Sequence, residues 1–97
     1  MKVLAQLQEW YSAQCDGEWE HSFGVRIDTL DNPGWSVEID LPISISESMD
    51  FKVERGDSDW MHCFIKDSKF HGHGDPSKLE SIITYFLNEV VGAKARE

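Results

Sequence analysis

Apolar residues first recur along the chain at helical spacing. Val3, Leu4, Leu7, Trp10 and Tyr11 fall on one stripe, which predicts an amphipathic helix over residues 3–14 with Trp10 and Tyr11 in the core. Asp16-Gly17 marks its end, because glycine can take the left-handed conformation that closes a helix. A loop over 17–22 follows, carrying Glu18, Trp19, Glu20 and His21. The period then changes from helical to alternating. Phe23, Val25 and Ile27 face one way and Arg26 and Asp28 the other, and residues 35–41 alternate in the same manner. Both stretches read as half-buried strands of an antiparallel sheet.

Asn32-Pro33-Gly34-Trp35 reads as a type II turn between these strands, with proline at the first central position and glycine at the positive-φ second. The pattern also constrains register. A plain four-residue loop would place Asp28 opposite Val37 and mix the faces. Pairing Thr29 with Trp35 instead sets Ile27 beside Val37 and Val25 beside Ile39, and implies a five-residue loop over 30–34 or an equivalent bulge.

Residues 42–49 are serine-rich and read as an irregular connection in which Ile43 and Ile45 could add a short edge segment. Residues 51–55 and 60–66 are further strands around a turn at 56–59. The latter strand is apolar on both faces, Trp60, His62 and Phe64 against Met61, Cys63 and Ile65, which suggests a more central position. Residues 69–74, rich in glycine and histidine, read as a short extended or looped piece. A closing helix is expected from Asp75 as cap and Pro76 at its first position, with Ser77 and Glu80 as a rival capping box. Leu79, Ile82, Ile83, Phe86, Leu87, Val90 and Val91 form its stripe, Gly92 its stop, and 93–97 a frayed tail. The expected fold is α+β: a four-stranded, possibly five-stranded, antiparallel sheet with an N-terminal and a C-terminal helix on one face, order α-β-β-β-β-α.

Composition narrows the function. Ninety-seven residues, 40% hydrophobic and 11% aromatic, suffice for a single domain over 1–97 with one modest core. No apolar run reaches the roughly 20 residues that cross a bilayer, and residues 1–6 turn polar too soon for a signal peptide, so a cytoplasmic protein with no membrane partner is expected. The net charge of −9 carries no basic footprint for nucleic acid and suits a basic partner attracted by electrostatic steering.

Candidate chemistry is of four kinds. Cys15 and His21 could form a thiolate–imidazole pair, as in a small thiol-dependent enzyme such as a sulfurtransferase, but Asp16, Glu18 and Glu20 would raise the thiol pKa; an exposed or structural cysteine is the alternative. Cys63, mid-strand, reads as packing. His71, His73 and Asp75 stand at alternate positions and could point to one side as metal ligands, although Asp75 has a capping role and no fourth ligand is evident; no metal or cofactor is assigned. Glu38, Asp40 and Asp28 share a face near Arg26, either as a solvated surface or as an acidic patch, flanked by Trp19 and Trp35, that receives a basic protein. Trp19, between two glutamates, reads as an exposed aromatic anchor or as a lid over the sheet end.

The run Trp10-Tyr11, residues 14–21 (QCDGEWEH), Gly24, Ile27, residues 29–35 (TLDNPGW) and Leu41 resembles the immunity protein 53 family, one of the antidote families of bacterial polymorphic toxin systems. The likeness spans residues 10–41. It implies a non-enzymatic cytoplasmic protein that binds and blocks a cognate protein toxin; a monomer or weak dimer is expected. An acidic surface would suit a basic toxin such as a nuclease. The expected contact surface is Asp16, Glu18, Trp19, Glu20, His21, Asp28, Asp31, Trp35, Glu38 and Asp40.

Overall fold

The computed structural model describes residues 3–42 and 49–92. Its elements are α1 (Val3–Gln14), a one-turn α2 (Trp19–Ser22), β1 (Val25–Leu30), β2 (Gly34–Asp40), β3 (Asp50–Gly56), β4 (Asp59–Lys66), β5 (Lys69–Gly74) and α3 (Leu79–Tyr85), which runs on with wider π-type hydrogen bonding over Phe86–Val91. The strands form one antiparallel sheet in the order β1-β2-β5-β4-β3. Ile43 and Ile45, expected as an edge segment, lie outside the described residues, as does the tail after Gly92.

The β1–β2 register is the one that facial segregation requires: Thr29 opposes Trp35, Ile27 opposes Val37 and Val25 opposes Ile39. Leu30 and Gly34 also pair, so the loop shortens from five residues to Asp31, Asn32 and Pro33. The turn is not type II. Its Asn32–Pro33 bond is cis, and Gly34 does not have positive φ, as Gly17 alone does among the described glycines. Gly34 answers a different demand, since a Cβ there would collide with the carbonyl oxygen of Gly74 on β5.

The larger correction concerns residues 69–74, which form the central strand. Phe70, Gly72 and Gly74 face the helices, while His71 and His73 face the other way. A Cβ on Gly72 would overlap Ile82 Cγ2, and one on Gly74 would sit 2.7 Å from Cβ of Lys78. The glycines therefore let α3 approach the backbone of β5 closely instead of loosening a loop. Asp67 and Ser68 both have positive φ, as a two-residue type I′ hairpin between β4 and β5 requires. β4 lies inside the sheet, between β5 and β3, which accounts for apolar residues on both its faces.

One core lies between the sheet and the helices. Val37, Ile39, Cys63 and Phe70 from the strands meet Ile82, Ile83, Phe86 and Val90, with Val3, Leu7 and Trp10 of α1 closing the cluster. Phe86 stands 5.0 Å from Trp10, edge to face, and 5.2 Å from Phe70. Each fully buried side chain of this size contributes about 1.5–3 kcal/mol. Two stripe residues depart from expectation: Leu4 is 62% exposed and Tyr11 37%. β1 is an edge strand beyond the cover of α3, so Phe23 and Ile27 are also exposed.

The α3 start differs as well. Asp75 Oδ1 accepts hydrogen bonds from Ser77 N (2.8 Å) and Ser77 Oγ (2.6 Å), which caps a turn over 75–78 and delays the helix to Leu79. The Ser77–Glu80 box does not form, because Ser77 is taken up by Asp75. Gly92 keeps right-handed helical angles, φ −63° and ψ −38°, so it does not close the helix in the left-handed manner.

Candidate functional site

Two regions carry the polar and aromatic residues that chemistry would need. The first is the connection between α1 and β1. Gly17 takes φ +96°, turning the chain back on itself. Asp16 Oδ1 accepts the N–H groups of Glu18 (3.0 Å) and Trp19 (2.9 Å), and the Glu20 carboxylate accepts those of Asp16 (3.0 Å) and Gly17 (2.9 Å). The Glu20 bonds clasp the turn between α1 and α2, and the Asp16 bonds meet the N–H groups at the entry to α2. They also hold the Asp16 carboxyl below its usual pKa, the Trp19 N–H being the largest cause and the Glu18 N–H the next. Trp19 is half-buried. It stands 6.1 Å from Trp10, edge to face, 6.1 Å from Tyr11 and 6.0 Å from Phe23, covering the end of the core on the helix side. Glu18 and His21 are exposed. The Cys15 thiol donates to the Tyr11 carbonyl at 3.3 Å, a bond within its own helix turn.

The second region is the sheet face turned away from the helices. Register places Arg26 and Asp28, then Ser36, Glu38 and Asp40, then Lys69, His71 and His73, then Trp60, His62 and Phe64, and finally Asp50, Lys52 and Glu54 on it. Of the acidic cluster expected here, Glu38 and Asp40 are paired with cationic side chains of the same face. Arg26 donates to Glu38 at 2.9 Å and to Asp40 at 3.1 Å, Lys69 stands 4.0 Å from Asp40, and His71 stands 3.9 Å from Glu38. Arg26 accordingly holds the Glu38 carboxyl below its ordinary pKa. Asp40 is buried and also accepts the Gly24 N–H at 2.9 Å, so it ties β2 to the start of β1.

Phe64 is the centre of this face. His71 stacks on it, with ring centroids 4.8 Å apart and planes 10° from parallel; His62 lies 4.9 Å away and His73 6.0 Å. His62 Nε2 is 2.8 Å from Asp50 Oδ1. Burial, then the neighbouring His71 and His62, hold the His73 pKa below its ordinary value. Sequence reasoning noted the alternation of His62 with Phe64 and of His71 with His73, but not that strand pairing assembles them into one cluster. The pairing of β4 with β5 was the missing information.

The remaining expected residues are dispersed. Asp28 and Asp31 are exposed near the β1–β2 turn. Trp35 points to the helix side, where its Nε1 donates to the Pro76 carbonyl at 2.9 Å, so it does not flank Glu38. The histidine–aspartate trio is divided: Asp75 is 1% exposed and bonded to Trp60 N, Ser77 and Lys78. Among the described residues, no three His, Cys, Asp or Glu side chains are arranged to hold a metal ion. A cleft of about 490 Å³ lies between the β1–β2 and β3–β4 turns, lined by Asn32, Glu54, Gly56, Asp57 and Trp60. No helix among the described residues is long and apolar enough to cross a membrane.

Comparison with known proteins gives one result. Residues 4–91 match the family described as Immunity protein 53. No curated protein and no solved structure matches the chain.

Proposed function

The chain belongs to the immunity protein 53 family, and from that premise we propose that it binds a cognate toxin domain in the cytoplasm and blocks it by occlusion, without catalysis. The observation that carries this reading is the match itself, which spans α1 through the π-type end of α3 rather than one motif. The architecture suits it, because helices cover one face of the sheet and leave the other to a partner. The net charge of −9 favours fast association with a basic toxin such as a nuclease. Of the expected contact residues, Glu18, His21, Asp28 and Asp31 are exposed enough to meet a partner directly, whereas Asp16 and Glu20 serve the α1–β1 turn.

The test is co-expression with the C-terminal domain of a secreted toxin encoded beside this gene. Survival of the cells and co-purification of a stoichiometric complex are expected. Death of the cells with no complex would overturn the reading. Raising the salt concentration should slow association, and a rate indifferent to salt would remove electrostatic steering from it.

A further inference from the structure

We propose that the toxin docks on the open sheet face along Trp60, Phe64, His62, His71 and His73, and that the segment received there is cationic. This rests on the immunity reading above and names its surface and partner chemistry.

Three observations converge on this face. Phe64 and His71 form a flat stacked pair, with His62 and His73 beside it, all half-buried in a strand pair at the centre of the sheet. Planar π surfaces of this kind suit guanidinium stacking and the aromatic anchors that dominate interface energetics. The two ends of the face also differ in charge. Asp28, Asp31, Glu54 and Asp57 gather at the end of the β1–β2 and β3–β4 turns, where Arg55 is engaged by Asp59 at 3.6 Å, whereas at the opposite end Arg26, Lys66 and Lys69 are interleaved with Glu38, Asp40, Asp50 and Asp67. At the acidic end the cleft joins Trp60 to Glu54 and Asp57, so that a lysine or arginine entering it meets an aromatic surface and two carboxylates together. Among the described residues Glu54 pairs with Lys52, at 3.8 Å between two exposed, flexible side chains, a pair that a partner's cation can displace at little cost. The far end differs, since its carboxylates Glu38 and Asp40 are already bound by Arg26. A partner therefore gains by laying its basic residues over the turn end.

Calorimetric titration of the adjacent-frame toxin's C-terminal domain tests this with four proteins: wild type, Phe64→Ala, the pair Glu54→Lys and Asp57→Lys, and a control pair Glu9→Lys and Glu89→Lys. The control makes the same change in net charge at exposed positions on the helices. Phe64→Ala and the cleft pair should each weaken binding at least about 10-fold, and the control pair by less than about 3-fold. The cleft pair sits at exposed positions, so it reports on docking whatever Phe64→Ala does to stability. Equal losses from the cleft and control pairs would reduce the effect to whole-molecule steering and overturn the proposal. So would wild-type affinity in Phe64→Ala, or a wild-type dimer that Phe64→Ala converts to monomer, which would assign the face to a second copy. Absence of binding by the wild type would instead overturn the immunity reading itself.

Discussion

The α1–β1 connection and the open sheet face are built from the same residue types, carboxylates, aromatics and histidine, and they use them in opposite ways. In the connection, Asp16 and Glu20 turn inward onto backbone N–H groups, and Trp19 closes over Trp10 and Tyr11. On the open face, Phe64 and its three histidines contact one another side by side and remain half-buried. The difference follows from geometry. Within a tight turn, polar side chains reach the nearest unpaired backbone groups, which lie a few residues away. In the interior of a sheet the backbone groups are already paired, so an outward side chain there meets chiefly its neighbours on the same face. Dense chemistry within a short stretch is thus a sign of self-satisfaction as much as of function.

Truncating one aromatic from each region gives the largest test of this contrast. Trp19→Ala should cost about 3 kcal/mol of stability, because it opens a void against the Trp10 end of the core, while Phe64→Ala should cost less than about 1.5 kcal/mol. Urea unfolding measures both. Equal costs would show that the two aromatics play the same structural part and would dissolve the comparison.

A smaller effect sharpens the role of β5. Gly72→Ala places a methyl against Ile82 Cγ2 and 3.2 Å from the Phe70 ring, and should destabilise by about 1–3 kcal/mol through overpacking. Gly56→Ala, at a position with open space around it, should stay within about 1 kcal/mol. Identical midpoints for the two variants would contradict close approach of α3 to β5.

How legible these regions were in sequence also turns on β5. The β1–β2 register followed from alternation in both strands, since only one pairing keeps Ile27 with Val37. The histidine–phenylalanine cluster did not follow, because Gly72 and Gly74 carry a loop's composition and a strand's geometry. Their meaning depends on Ile82 and Lys78, which arrive from a helix later in the chain. Likewise the type II reading of Pro33-Gly34 considered local dihedral preference alone, whereas Gly34 is required by the neighbouring strand. Patterns within elements, and the pairing they fix between two strands adjacent in sequence, were readable; demands imposed by elements distant in the chain were not.

Acid should act on both regions. Asp75 is held well below the usual carboxylate range, first by Lys78 and then by Ser77; Asp16 and Glu38 are lowered by backbone N–H groups and by Arg26 respectively. A carboxyl with a depressed folded pKa stabilises fully above its unfolded value, near pH 4, and loses that contribution as pH falls through the folded one. The melting temperature should therefore be flat from about pH 7 to 5 and fall steadily below about pH 4. A melting temperature that rises on acidification would reverse the sign and dismiss these contacts as stabilising.

The smallest effect expected is at Cys15. Its thiol bonds Tyr11 of the preceding turn, so Cys15→Ser should shift stability by less than about 0.5 kcal/mol and leave toxin affinity unchanged. Cys63 makes the internal contrast: burial pushes its thiol up to about 12 and shields it behind the core. In the native protein at pH 8, an alkylating reagent should modify one thiol, Cys15, at the rate of a free thiol, and the second only after unfolding. A Cys15 that reacts much faster than a free thiol, together with loss of protection in Cys15→Ser, would move the chemistry back into the connection and make that segment, rather than the open face, the functional region.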